Sequence, residues 1–284
     1  SINTIIGISN YKPMMDRLFR PLVTTQIFSH TLTNDTKITS VLACLPLQKK
    51  QIQKANRSSE SVLMDKPHHP VLLNEVLTLL DVQAGDTVMD ATIGYAGHSE
   101  HFIKAMGQTG FLLGIDQDQT AIKFCQKMFS YSSNIALFNN NFSDCVDCLK
   151  TVNKTQVDKL FIDLGMSSVQ LDSDTRGFSF QHDSPLDMRM NQEADVSAYD
   201  ILHNYSASEL SDMFYYYGQL HQNKILIKNI ITARKQQLKS TADLVNIVKK
   251  SYFFNNNRKK YIKTLSQVFQ AIRIEVNAEL DVLD

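Results

Sequence analysis

The sequence predicts an α/β protein built on a parallel sheet, and three observations carry that prediction. Short apolar runs of the kind buried between helix layers recur at Val88–Ala91, Phe111–Ile115, Ile135–Phe138 and Val157–Ile162. Segments of helical spacing lie between them, with Phe102, Ile103 and Met106 on one face of the first, and Ala121, Ile122, Cys125 and Met128 on one face of the second. Three of the four runs end in a carboxylate: Asp90, Asp116 and Asp163. Parallel strands joined by helices receive ligands at the carboxyl ends of the strands, so these acids share one rim.

The organising stretch is VMDATIGYAGHSEHFIKAMGQTGFLLGIDQD, Val88 to Asp118. Gly94 and Gly97 mark a tight turn after the first strand, where a missing Cβ lets backbone approach a ligand. Gly107 and Gly110 end the helix that follows, and Asp116 closes the second strand. Such a turn can hold the charged tail or phosphate of a cofactor at a helix N-terminus. The acid at the tip of strand two can accept both hydroxyls of a ribose. Nicotinamide dinucleotides and S-adenosylmethionine both suit this plan. Gly94-Tyr95-Ala96-Gly97 is not G-x-G-x-x-G, which favours S-adenosylmethionine, a ligand without phosphate. Against both stands an ordinary βαβ core whose glycines serve packing.

The other elements follow in order. Residues 1–65 are hydroxyl- and amide-rich; to residue 64 they hold eight Lys/Arg and three acids, and they read as a weakly ordered extension. An organellar transit peptide, a divergent extension and translated sequence ahead of Met64 all fit that composition. Structure begins near Pro67, with an apolar helix over Val71–Leu80. Phe142, just beyond the third strand, can flank an adenine or belong to the core. Cys145 and Cys148 form a lone C-x-x-C without a second pair, and His98 and His101 have no acid or thiolate partners in sequence, so no metal site is predicted. Four cysteines in 284 residues do not form a disulfide framework, and no apolar run spans a bilayer.

Formal net charge is zero, yet Leu220–Lys263 holds eleven Lys/Arg against the single Asp243. A cation-rich segment is an electrostatic footprint for nucleic acid, although solvated helix faces can look alike. Helical spacing recurs within and before it, at Ala198–His203, Ala207–Tyr217, Gln222–Lys235 and Ala242–Tyr252.

The most distinctive residues are DLGMSSVQLD (Asp163–Asp172), RGFSF (Arg176–Phe180) and PLDMRM (Pro185–Met190). Together with HHPVLLNEVL, DATIGYAGHS and FQAIRIEVNAEL, in that order, they resemble the MraW family. Its members are S-adenosylmethionine-dependent methyltransferases that modify N4 of a cytosine in small-subunit ribosomal RNA. The resemblance covers about Pro67 to Leu280. It implies a Rossmann-like cofactor-binding core at 66–172, a helical RNA-recognition insertion at 173–263, and a helix returning to the core at 264–284. It also implies a cofactor shell. Ala96, Gly97 and His98 hold the methionine part, Asp116 the ribose and Phe142 the adenine, while Asp163 and Gln170 complete it. Arg176, Phe178, Asp187 and Arg189 shape the target-base side, with no residue assigned as catalyst. The implied partner is small-subunit ribosomal RNA or the small subunit itself. The compartment is a bacterial cytoplasm, with a mitochondrion second, and a homodimer is admitted.

Departures from the family pattern are specific. Ala96 stands where the family has glycine, a change tolerable if its backbone angles stay in an allowed region. Gly218-Gln219-Leu220 replaces Gly-Glu-Glu, and Lys263–Gln267 lacks the His and Arg that the family carries before its FQA helix. The family continues beyond the helix that ends near Leu280, so strand four is expected to present a bare edge. A fragment of a longer protein is the favoured account of that, over a catalytically impaired RNA-binding or ribosome-assembly paralogue. An NAD-type oxidoreductase is disfavoured by the missing phosphate fingerprint.

Overall fold

The computed structural model describes residues 2–9, 31–32, 36–37, 41–43, 70, 72–235 and 238–279. The expectations for the rest of residues 1–65, and for His68 and His69, lie outside the described residues. The chain divides into two compact units, one running to Gly165 and the other starting at Met166.

The first unit is a parallel sheet clad in helices. Its strands are β1 (Ile2–Ser9), β4 (Val41–Ala43), β5 (Thr87–Asp90), β6 (Phe111–Asp116), β7 (Ile135–Asn139) and β8 (Val157–Leu164), in the order β4-β1-β8-β5-β6-β7. Two short strands, β2 (Thr31–Leu32) and β3 (Thr36–Lys37), form a separate antiparallel pair. All pairings in the large sheet are parallel. Helices α1 (Leu73–Leu80), α2 (Ser99–Met106), α3 (Gln119–Met128) and α4 (Cys145–Thr151) punctuate the strands. Strand order reverses at β5, because β6 lies on one side and β8 on the other. That is the switch point where open α/β sheets bind ligands.

Alternate residues of β5 and β6 feed two separate cores. Val88 and Leu112 join Val76, Phe102, Met106, Ile122 and Phe161 on one face, whereas Met89 and Leu113 join Ile115, Cys148 and Leu160 on the other. Both faces being buried explains why these strands read as unbroken apolar runs.

The expected bare edge is corrected here. β1 pairs with β8 from Ile2↔Val157 to Ser9↔Leu164, and β4 pairs with β1 in turn. Four of the eight residues are isoleucines, which favour strands, and the row of amides on β8 is the template they pair with.

The second unit is helical: α5 (Ser168–Asp172), α6 (Ala198–Asn204), α7 (Ala207–Tyr216), α8 (Lys224–Arg234), α9 (Thr241–Ser251) and α10 (Arg258–Val276). Four starts are capping boxes, at Ser167/Gln170, Ser197/Asp200, Ser206/Glu209 and Ser240/Asp243. In each, the serine accepts a backbone N–H and the third residue's side chain accepts the serine's own, so two orphan donors are satisfied at once. The helices close over one core that includes Leu202, Phe214, Leu226, Ile230, Leu244, Val268 and Ile272. Among the described residues no helix is long and apolar enough to cross a membrane.

Gly177 sits at φ +72°, and a Cβ there would lie 2.3 Å from the Pro185 carbonyl oxygen. Gly177→Ala should therefore cost about 2–4 kcal/mol, left-handed strain plus overpacking, read as a lower midpoint in urea.

Candidate active site

The three rim acids are delivered by β5, β6 and β8, and one turn links them. Residues Thr92 to His98 connect β5 to α2. The Thr92 N–H donates to Asp90 Oδ1 at 3.2 Å, while the Thr92 hydroxyl accepts from the Asp163 N–H at 2.7 Å. The Gly94 N–H donates to Asp116 Oδ2 at 2.8 Å, and Asp116 Oδ1 accepts from the Asp118 N–H at 2.8 Å. Ser99, in the first turn of α2, donates its hydroxyl to Asp90 Oδ2 at 2.6 Å. The Cys125 thiol holds the Gly94 carbonyl from α3 at 3.2 Å.

These acids are unusually hard to ionise. Burial pushes Asp90 up to about 7, offset in part by its bonds to Ser99 and Thr92 and reinforced by the charges of Asp163 and Asp116. Burial likewise lifts Asp116 to about 6, against its bonds to Asp118 and Gly94. Asp163 is lifted to about 6 by burial. Carboxyls crowded and desolvated together favour a neutral form or a cationic neighbour. Desolvation and the same two charges, Asp90 and Asp116, carry the Cys125 thiol to about 12, so it is no nucleophile.

Ala96 meets its condition only at a cost. Its φ is +61°, the left-handed well that suits glycine, and its methyl is fully buried. Bonds from the Ala96 N–H to the Ile93 carbonyl (2.8 Å) and from the Glu100 N–H to the Ala96 carbonyl (3.1 Å) hold it there. The conformation is allowed for alanine but carries about 1–2 kcal/mol of strain.

Gly97 has Pro70 against it: a Cβ would come within 3.3 Å of the proline ring. His98 occupies the N-cap position of α2 without a side-chain cap bond. Its buried ring packs on Phe161 at 4.7 Å and on Phe102 at 6.4 Å. Phe142 opens the 3-10 turn Phe142–Asp144 after β7; half-buried, it lies against the core of Met89, Leu113 and Ile115. Ala96, Gly97, His98, Asp116, Phe142 and Asp163 thus all belong to the first unit. Gln170 belongs to the second, where its side chain accepts the Ser167 N–H at 2.9 Å.

The residues expected on the target-base side serve the interior of the second unit. Arg176 is buried and donates to the carbonyls of Arg189 and Met190 at 2.9 and 3.0 Å. Phe178 lies in the core. Asp187 and Arg189 form a two-pronged pair at 2.8 and 2.9 Å. Thr92 and Ser99 escaped the sequence reading. Their signal was available, two hydroxyls placed just after the first rim acid.

A model described as the MraW methylase family matches residues 65–284. The chain belongs to that family. Among its relatives is ribosomal RNA small subunit methyltransferase H of Clostridium botulinum (strain 657 / Type Ba4), 36% identical over 222 residues, which are 78% of this chain and 71% of that protein. The protein of that name from the Loch Maree strain matches with the same figures. Among solved structures, Aeropyrum pernix fibrillarin with natively bound S-adenosyl-L-methionine overlays on 33% of this chain and 40% of its own, at 18% identity and a TM-score of 0.29. So partial an overlay carries no weight for this protein.

A carboxyl that holds its proton more tightly when folded stabilises the fold at low pH and loses that contribution as pH rises towards its folded pKa. For Asp90 the window runs from its ordinary value of 3.8 to about 7. Wild-type stability should therefore fall more steeply between about pH 4 and 7 than that of Asp90→Asn, followed by thermal melts across that range. Parallel curves would mean that Asp90 is already ionised in the folded protein.

Proposed function

We propose that the protein transfers a methyl group from S-adenosylmethionine to N4 of a cytosine in small-subunit ribosomal RNA. The observation that carries this reading is the rim itself. Three strands bring desolvated carboxyls together around a turn whose Gly94 amide is bonded to one of them. Membership of a methylase family and the name shared by its relatives support the substrate class.

The residues suit the cofactor chemically. Asp116 spends one oxygen on Gly94 and the other on Asp118, but each carboxylate oxygen has a second lone pair, so both ribose hydroxyls can still be accepted. The Ala96-Gly97-His98 turn holds the methionine part and Phe142 covers the adenine. Uncompensated carboxyls at this rim favour a ligand bearing positive charge. When bound, the cofactor supplies an electrophilic methyl on a cationic sulfur.

The chain's task is then alignment. Asp163, raised by burial, accepts hydrogen bonds from the exocyclic amine, whose lone pair is otherwise delocalised into the ring. It draws that nitrogen towards a pyramidal shape and takes the proton shed as the nitrogen–carbon bond forms and the carbon–sulfur bond breaks. The base reaches the rim only after leaving its stack. Exposed cations of the second unit contact phosphates of the RNA.

Calorimetric titration should show S-adenosylmethionine binding at micromolar Kd, roughly −8 kcal/mol, with Asp116→Ala weakening it by about 2 kcal/mol or more. Affinity should fall as pH drops through about 6, where Asp116 protonates. Absence of binding by the folded chain would sink the reading. Asp163→Ala should lower the single-turnover rate by about 100-fold or more with cofactor affinity little changed. Full turnover in that variant would remove Asp163 from the chemistry.

A further inference from the structure

The segment joining α9 to α10, YFFNNNRKKY (Tyr252–Tyr261), presents one aromatic ring to solvent and keeps the others partly buried. Phe253 is 81% exposed, the most exposed phenylalanine among the described residues. Its neighbours turn inward: Tyr252 and Phe254 lie 6.1 Å apart, Phe254 meets Tyr261 edge-on at 5.0 Å, and all three pack against the core of the second unit. The backbone between them is pinned. Asn255 and Asn256 both take left-handed angles, at φ 44° and 57°, and the Asn257 side chain caps α10 by accepting the Lys260 N–H at 2.9 Å. The Lys260 ammonium donates back to the Phe253 carbonyl at 3.2 Å. Phe253 is thus held out by a fixed loop.

Cations surround this ring in the chain. Lys249 and Lys250 close α9, while Arg258, Lys259 and Lys260 open α10, all of them exposed. No acid occurs from Leu244 to Ile274. Three cations in the first turn of a helix oppose its dipole, an arrangement that disfavours the isolated helix and suits a neighbouring polyanion. An exposed aromatic face among uncompensated cations matches unpaired RNA: bases stack on the ring while phosphates meet the charges.

We propose that Phe253 is a stacking platform for an unpaired base of the RNA substrate, with Lys249, Lys250, Arg258 and Lys259 contacting the adjoining phosphates. This rests on the RNA-methylation reading and names where the second unit grips.

The test uses the full chain and a fluorescent single-stranded RNA, with affinity read by anisotropy over a salt series. Phe253→Ala should weaken binding by roughly ten-fold, leaving melting temperature and S-adenosylmethionine affinity unchanged. Phe253→Trp should preserve binding. The slope of log affinity against log salt should stay the same in Phe253→Ala and fall by about 0.7 for each of Lys249→Ala and Arg258→Ala. Wild-type affinity retained in Phe253→Ala overturns the platform while leaving the RNA reading intact. A wild-type chain that binds S-adenosylmethionine but no RNA overturns both. Loss of binding to heparin in Phe253→Ala equal to the loss for RNA would also overturn it, since heparin has no bases to stack.

Discussion

The structure of the first unit depends on one constraint, that three carboxyls must sit side by side at the carboxyl edge of a sheet that is buried on both faces. Asp90 satisfies it with bonds to Ser99 and Thr92, and Asp116 with bonds to Gly94 and Asp118. The turn from Thr92 to His98 therefore has little freedom. The Thr92 and Gly94 amides are committed to the acids, Gly97 is walled by Pro70, and Ala96 is left in a conformation that glycine would adopt more readily. Strain at Ala96 and desolvation at the acids are two costs of the same arrangement. Sites that bind charged ligands commonly store both.

The second unit solves a different problem. Its cation-rich segment, Leu220–Lys263, stands on a strongly organised helical interior. Capping boxes begin four of its helices, and Asn277 clamps the PLDMRM segment, accepting the Met190 N–H at 2.7 Å and donating to the Met188 carbonyl at 2.8 Å. The Arg273–Glu279 pair, largely buried and 2.8 Å apart, secures the end of α10 beside it. Two of the motifs that carry the family resemblance thus meet at Asn277. Arg176, Phe178, Asp187 and Arg189 are bonded or packed within the same unit's interior scaffold.

Much of this was legible in the residues. Runs such as Phe111–Ile115 announce buried parallel strands because both their faces must be apolar, and each acid marks where such a run reaches solvent. The candidate rim followed from counting strands. Roles that depend on where a ring or a backbone angle points did not follow. His98 has the position of a cap and packs as a core ring instead, and Tyr252-Phe253-Phe254 reads as one apolar run until the loop shows which ring faces out.

By itself the sequence determined the order of the four strands β5 to β8 with the helices between them, the three acids on one edge and the excess of positive charge in Leu220–Lys263. Each is a local property, set by periodicity, capping chemistry and composition. Only the tertiary structure decided that β1 covers the edge of β8, that Ala96 is bent into the left-handed region, and that Asp90 is the most desolvated acid of the three. Those outcomes depend on partners far away in the chain. Register between distant strands, hydrogen bonds across a turn and exclusion of water are properties of the assembled fold, and no window of sequence contains them.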